Sequence, residues 1–342
     1  MAPTRILVTG GAGFIGVNFV RMLLGTEESV TVVNLDLLTY AGNLASLSDC
    51  IENPRHKFVN GDIRDREKVL SVIGEYGIDG IINFAAESHV DRSITGPEIF
   101  VETNIKGTLN LLNCAKESGI KRFLQVSTDE VYGSLGQEGM FTENSPIAPN
   151  SPYSASKASA DHLVRAYHHT FGLDAVTTRC SNNYGPYQFP EKMVPLCINN
   201  ARLNKPIPVY GDGLQVRDWL YVQDHCSAIW TVFRNAAPGE VYNIGGCNEK
   251  ANLELVRTIL SITGGPESLI TFVKDRPGHD RRYAIDASKI MRDFKWKPSV
   301  SFEEGMKKTV EWYLSNIQWL ETVSSGEYRK YYESMYKGRE LR

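Results

Sequence analysis

The residues Thr9-Gly10-Gly11-Ala12-Gly13-Phe14-Ile15-Gly16 follow directly on the apolar run Ile6-Leu7-Val8, and the rest of the chain can be read outward from them. Glycines at 10, 13 and 16 give the spacing G-x-x-G-x-x-G where a β-rich segment meets a helical one running from Phe14 to about Leu24. At such a junction the first glycine permits a tight turn, the second lets backbone approach a pyrophosphate, and the third lets the helix lie close to the strand. A phosphate there meets the unpaired N–H groups of the helix start, Phe14 and Ile15 among them, where the helix dipole favours negative charge. Asp36 ends the next strand, twenty residues beyond Gly16, where an acidic side chain holds ribose hydroxyls. Its neighbours Leu35, Leu37 and Leu38 offer no cation for a 2′-phosphate, so the pattern predicts NAD rather than NADP. Asp62, at the end of a third strand, either faces the adenine or caps a helix just before Asp65.

Further along, Val30–Leu35, Phe58-Val59, Ile81–Phe84, Phe123–Val126 and Asp174–Arg179 read as short apolar strands, with helices near Arg66–Ile73 and Ile99–Glu117 between them. Continuous apolar strands alternating with helices predict an α/β fold, a doubly wound Rossmann-type parallel sheet covered on both faces. After Asn182 prolines and glycines punctuate the chain (Pro186, Pro190, Pro195, Pro206, Pro208, Gly211, Gly213) and the strands shorten. This predicts an NAD-binding domain over residues 1–181 and a smaller α/β substrate-binding portion over 182–342, packed over the strand C-termini, with a soft boundary that the chain can cross more than once.

Composition narrows the function. The 342 residues carry 37 Lys plus Arg against 40 Asp plus Glu, a net charge of −3, with 42% apolar residues. That balance gives no footprint for nucleic acid and no polybasic membrane patch. The six cysteines (Cys50, Cys114, Cys180, Cys197, Cys226, Cys247) are scattered and read as buried thiols in a reducing compartment. No metal-ligand spacing occurs, and no apolar run approaches membrane-spanning length. The start of the chain has the pattern of neither a signal nor a transit peptide, so a cytoplasmic location is expected.

Two segments carry chemistry. Ser127-Thr128-Asp129-Glu130-Val131-Tyr132-Gly133 follows the strand Phe123–Val126, at the strand end where open α/β sheets place their ligand crevice. In Asn150-Ser151-Pro152-Tyr153-Ser154-Ala155-Ser156-Lys157, Ser151 is a fitting N-cap and Pro152 a fitting first helical residue. Tyr153 and Lys157 then share one helix face. The ammonium, the positive nicotinamide and the helix N-terminus would each lower the Tyr153 pKa, preparing a phenolate to take a hydroxyl proton. Adjacent residues of an ideal strand point to opposite faces, so Asp129 and Glu130 can serve one substrate only if the chain leaves extended geometry near Thr128.

In these motifs the chain resembles the extended short-chain dehydrogenases/reductases, and within them the nucleotide-sugar 4,6-dehydratases. The resemblance spans essentially the whole chain. It includes Thr39–Asn43, Ala85–Ser93, Ser181–Tyr187, Arg217–Val222 and Asp275–Tyr283, and its specific part is Thr128-Asp129-Glu130. It implies a lyase acting on a nucleotide-sugar, with dTDP-glucose the leading substrate. C4 is oxidised by tightly bound NAD, Glu130 removes the C5 proton as base, and protonated Asp129 donates to the leaving C6 hydroxyl. Hydride then returns to C6 and C5 is reprotonated.

Further site residues are implied by the same resemblance. Leu37, Thr39, Ile63, Ala85, Ala86, Glu87, Thr103 and Asn183 would surround the cofactor. Thr128 and His89 would touch the sugar, and Asn182, Lys192, Met193, Arg217, Asn252 and Arg276 the nucleoside diphosphate, while Pro208, Val209, Tyr210 and His279 would border the base. Arg217 suits bidentate phosphate binding; the alternative is a surface arginine paired with Asp218 or Asp212. The helices near Ile99–Glu117 and Tyr153–Phe171 would form a four-helix homodimer interface, with Ile105, Leu109, Leu112 and Leu163 on a buried stripe. Competing readings are a UDP-sugar 4,6-dehydratase, a UDP-sugar 4-epimerase, which has no need of the Asp-Glu pair, and an NAD-binding regulator without turnover.

Overall fold

A computed structural model describes residues 3–324. Its strands are β1 (Arg5–Thr9), β2 (Thr31–Asp36), β3 (His56–Asn60), β4 (Gly80–Asn83), β5 (Arg122–Thr128), β6 (Ala175–Cys180), β7 (Asn182–Tyr184), β8 (Ile207–Tyr210), β9 (Val216–Tyr221), β10 (Val241–Ile244), β11 (Glu249–Ala251) and β12 (Ile270–Val273). Seven of them form one sheet in the order β10-β6-β5-β4-β1-β2-β3, every pair parallel. All six strand segments read from the sequence lie in it, and the sheet is the doubly wound Rossmann-type structure expected.

The two-residue period of the strands explains their unbroken apolar runs. Ile6 and Val8 point to one face, into a core shared with Val17, Phe19, Val20 and Leu23 of the Phe14–Thr26 helix and with the Val222–Asn235 helix. Leu7 points to the other, among Val69, Val72, Leu111 and Leu112. With both faces covered there is no polar side to alternate with.

The chain visits β1, β2 and β3 in turn and then returns to pair β4 with the opposite edge of β1. This reversal of strand order opens a crevice beyond the C-terminal ends of β1 and β4. A separate core gathers Tyr184, Ile198, Val209, Trp219, Leu255 and Tyr313, among others. It lies with the small sheets β11-β9-β7 and β12-β8. The chain crosses between the two bodies, because after β9 the Val222–Asn235 helix packs on the Phe14–Thr26 helix and β10 completes the large sheet. Residues 325–342 of the expected second portion lie outside the described residues. One cysteine departs from expectation. Cys247 is exposed, while the other five are buried, and all six are free.

Candidate active site

The first turn of the crevice is built by close approach. Gly10 has φ +71, and a Cβ there would stand 2.6 Å from the Ala85 backbone nitrogen; one on Gly16 would stand 2.3 Å from the Gly10 carbonyl oxygen. The Phe14–Thr26 helix has Gly13 as its N-cap, with no side-chain cap and no acidic residue in its first turn. Its free N–H groups and positive end therefore open on the cleft, the setting for a pyrophosphate. Asp36 is fixed from both sides: Oδ2 accepts from Ala12 N (2.9 Å) and Oδ1 from Leu38 N (2.8 Å). These features fit an adenosine ribose on the carboxylate and a diphosphate on the helix start.

Asp62 lines the cleft beside Asp36 and does not cap the next helix, whose cap is Asp65. It accepts from Arg64 N (2.8 Å) and pairs with the Arg64 guanidinium (2.6 Å). Arg64 also lines the cleft, and its pairing with Asp62 neutralises a cation that the local sequence around Asp36 does not show. Asn104 is a further residue that the sequence reading passed over. Its amide accepts from Glu87 N (2.9 Å) and donates to Glu87 O (3.0 Å) and Ser156 Oγ (2.8 Å). It sits in a π-helical turn, Val101–Gly107, inside the continuous helical run from Glu98–Phe100 to Thr108–Glu117. No local sequence signal marks it, because its partners Glu87 and Ser156 become neighbours only in the fold.

The catalytic segment meets the geometric condition set by its sequence. β5 ends at Thr128, and Asp129–Tyr132 form a single 3₁₀ turn. Thr128 caps it, its Oγ1 accepting from Glu130 N and donating to Asp129 Oδ1, both at 3.3 Å. The turn brings Asp129 and Glu130 to one cleft, lined also by Gly10, Gly13, Asp36, Thr103, Tyr153 and Lys157. Ser151 caps the Pro152–Phe171 helix in a reciprocal capping box with Ser154. Lys157 Nζ donates to Val126 O at 2.7 Å.

The electrostatics differ from expectation at Tyr153. Burial holds its phenol well above the ordinary range and the Glu130 carboxylate adds to this, while the Thr128 hydroxyl acts the other way. Lys157 is itself pushed down by burial, with Asp161 supporting its charge. Desolvation is the dominant influence on Tyr153; a bound nicotinamide's positive charge would act the other way. Asp129 is raised well above the usual carboxyl range by burial first, then by Glu130 and Asp218. Glu130 is raised by burial too, but Arg276, Lys192 and Arg217 oppose this and favour its ionised form.

Those three cations mark the substrate side. Arg217, 5% exposed on β9, donates to Val216 O (2.8 Å) and Asp280 O (2.9 Å) and stacks 4.4 Å from the Tyr283 ring centre. It pairs with neither Asp212, which holds Arg281, nor Asp218. Lys192 Nζ donates to Ser88 O (2.7 Å), and Arg276 approaches Asp91 (3.5 Å), which also faces His89 (3.9 Å). Asn182, Asn183 and Lys192 line the cleft with the catalytic residues; His89, Met193, Pro208, Val209, Tyr210, Arg217, Asn252, Arg276 and His279 stand apart from that lining, although Arg217 and Arg276 act on Glu130 electrostatically. Val209, 1% exposed, turns its side chain into the second core, and Met193 packs on that core. His279 bonds Asp275 (2.6 Å) and meets the Tyr210 ring edge-on at 6.0 Å. Across the cleft, Arg92 donates to Glu191 Oε2 (3.0 Å) and covers the Tyr40 ring at 3.9 Å. Among the described residues there is no metal-ligating cluster, and no helix is long and apolar enough to cross a membrane.

Comparison with known proteins agrees with this geometry. The family model for GDP-mannose 4,6-dehydratase matches residues 7–309. The dTDP-glucose 4,6-dehydratase of Xanthomonas campestris pv. campestris (strain B100) is 55% identical, over 94% of this chain and 97% of that protein. The crystal structure of a dTDP-glucose 4,6-dehydratase from Streptomyces venezuelae, with NAD and dTDP bound, superposes with TM-score 0.91 at 50% identity, covering 94% of this chain and 100% of that one. A UDP-glucose 4-epimerase of Thermus thermophilus in complex with NAD shares the fold at 30% identity and TM-score 0.85, covering 92% of this chain and 100% of that one.

Proposed function

The chain belongs to the GDP-mannose 4,6-dehydratase family of extended short-chain dehydrogenases/reductases, and from that premise we infer that it converts dTDP-glucose to dTDP-4-keto-6-deoxyglucose with NAD as cofactor. The observation that carries this reading is the 3₁₀ turn Asp129–Tyr132, which presents two consecutive carboxyl groups to one cleft in unlike surroundings. When bound, NAD supplies the hydride acceptor for sugar C4 and the hydride donor for C6.

The protein's own groups divide the proton work. Tyr153 takes the C4 hydroxyl proton, with the Lys157 ammonium beside it and the Thr128 hydroxyl orienting the sugar. The ketone at C4 acidifies the C5 proton, which Glu130 removes as a base kept ionised by Arg276, Lys192 and Arg217. Asp129, the more strongly raised carboxyl, gives its proton to the departing C6 hydroxyl. Arg217, Arg276 and Lys192 also hold the diphosphate. Gly10, Gly13 and Gly16 admit the cofactor pyrophosphate, and Asp36 holds its ribose.

The assembly and location follow from the same reading. A homodimer through the helical run from Glu98 to Glu117 and the Pro152–Phe171 helix is supported by exposed Val101 and Phe171 and half-buried Ile105, Leu109 and Leu163; Leu112 belongs to the monomer core. Sedimentation should then give twice the 38.2 kDa chain mass. Free cysteines and the absence of a membrane-spanning helix among the described residues support a cytoplasmic location.

The activity is tested by supplying dTDP-glucose, UDP-glucose and UDP-N-acetylglucosamine separately, without added cofactor, and following product mass. Loss of one water from dTDP-glucose alone is the expected result. Unchanged mass with inversion at C4 would make the protein an epimerase instead.

A further inference from the structure

The proposed chemistry needs Asp129 in its acid form, and the fold contains a third buried carboxyl group behind it. Strand register places it there. Thr128 of β5 pairs with Cys180 of β6, and Asn182 of β7 pairs with Trp219 of β9. Asp129 directly follows the first pair, Ser181 links β6 to β7, and Asp218 directly precedes Trp219 on β9, so the register brings the three residues to one end of neighbouring strands. Asp218 is 2% exposed and Asp129 1% exposed. The Ser181 hydroxyl is buried beside the Asp218 carboxylate and favours its ionised form.

The two aspartates are bonded very differently. Asp218 Oδ2 accepts from Gly246 N at 2.8 Å and Oδ1 from Asn248 N at 2.6 Å, with the Cys247 N–H also turned to it. Successive backbone N–H groups wrapped on a carboxylate form an anion nest, which serves the ionised form because a protonated oxygen would have to give up an acceptor position, and here it opposes the burial that raises Asp218. The loop is built for this contact. Cys247 adopts φ +55, and a Cβ on Gly246 would stand 2.0 Å from the Trp219 carbonyl oxygen. Asp129 has nothing comparable: Oδ1 has only the Thr128 hydroxyl at 3.3 Å, and Oδ2 is buried without a partner. Facing Asp129 are Glu130 on its own turn, Tyr153 from the Pro152–Phe171 helix, Cys180 from β6, and Arg217 and Asp218 from β9. Arg217 is the one cation of that set, and it is occupied by two carbonyl oxygens and the Tyr283 ring.

We propose that Asp218, held ionised by the Gly246–Asn248 backbone nest, is the positioning residue that keeps the proton on Asp129. Its role is electrostatic: it touches no substrate, and it makes Asp129 the carboxyl of the trio on which a proton rests. The inference rests on the reading of Asp129 as the acid that protonates the C6 hydroxyl. Burial and Glu130 act in the same direction, and Asp218 is the contribution fixed by the fold whatever occupies the cleft.

The test uses the holoenzyme in two arms. In the first, the pH profile of kcat is compared between wild type and Asp218→Asn. Loss of the neighbouring charge should move the alkaline limb, where Asp129 loses its proton, to lower pH by roughly one unit or more. A limb that stays in place while kcat falls evenly at every pH assigns Asp218 a merely structural role and overturns the inference. Because an asparagine amide facing the nest N–H groups can unfold the loop, the second arm leaves the protein unaltered: neutron diffraction of the wild type at neutral pD. A deuteron on Asp129 and none on Asp218 is expected. Deuterons on both overturn the inference and leave the acid role standing. Asp129 without a deuteron defeats the acid role itself.

Discussion

At the scale of single residues, Glu130 carries the most direct prediction. The base that takes the C5 proton determines whether that position exchanges with solvent, so Glu130→Gln should abolish deuterium uptake at C5 from heavy water. Turnover should fall by about 10²–10⁴, the usual contribution of a general base. Mass spectrometry of recovered sugar nucleotide measures both, and uptake that persists would remove Glu130 from this role. The residues of the catalytic turn were legible in the sequence because their relations are local: Thr128 to Glu130 are consecutive, and Tyr153 and Lys157 are one helical turn apart. Asn104, Arg64 and the Asp129–Asp218 relation were not, since each depends on which strands and helices become neighbours. The local reading also misjudged Tyr153. It counted the ammonium on the same helix face and omitted the burial that only a folded cleft imposes.

At the scale of elements, the turn from β1 into the Phe14–Thr26 helix is the part most fully written in the sequence, and it makes a paired prediction. Gly10 has left-handed φ, and a Cβ would meet Ala85 N at 2.6 Å and Ala85 Cα at 2.8 Å, backbone atoms that follow β4 directly. Gly10→Ala therefore forces a left-handed alanine, at about 1–2 kcal/mol, and pushes the end of β4 away. It should lower the unfolding midpoint by roughly 5 °C and deplete NAD from the purified protein. Gly25 lies near the end of the same helix, and a Cβ there would have nothing within 4 Å, so Gly25→Ala should leave NAD content intact and raise stability by about 0.5–1 kcal/mol. Calorimetry and absorbance of released cofactor distinguish the two; equal behaviour would mean that close approach does not govern this turn. Elements without a repeating pattern were less legible. The π-helical turn Val101–Gly107 and the three-residue strands β7 and β11 have no periodicity long enough to read, and β10 joins the large sheet from a segment whose composition resembles the second body.

At the scale of the whole molecule, burial places ionisable groups with opposite pH linkage in one fold. Asp36, Asp129, Glu130 and Asp218 are raised by desolvation, so the folded state binds more protons than the unfolded one between their ordinary and raised pKa values. These groups strengthen the fold as pH falls through that window. Buried histidines work the other way. His225, wholly buried on the Val222–Asn235 helix that joins the two bodies, holds Asn183 Oδ1 at 2.9 Å while its Nε2 has no partner. Burial lowers it from 6.5 to about 3. Its contribution is therefore fully present above pH 6.5 and is lost progressively as pH falls toward 3, because the unfolded chain takes up a proton that the folded chain refuses. The slope is about 1.4 kcal/mol per pH unit for that one proton. Since the carboxyl groups oppose it, the wild-type slope alone is not diagnostic, and the difference between two proteins is. His225→Gln keeps an amide donor for Asn183 but cannot titrate. Denaturant unfolding of both proteins from about pH 7 to about pH 4.5 should show the wild type losing stability faster than the variant by about that slope below about pH 6. Parallel curves would mean that His225 is protonated within the fold, and that the junction between the two bodies is open to water.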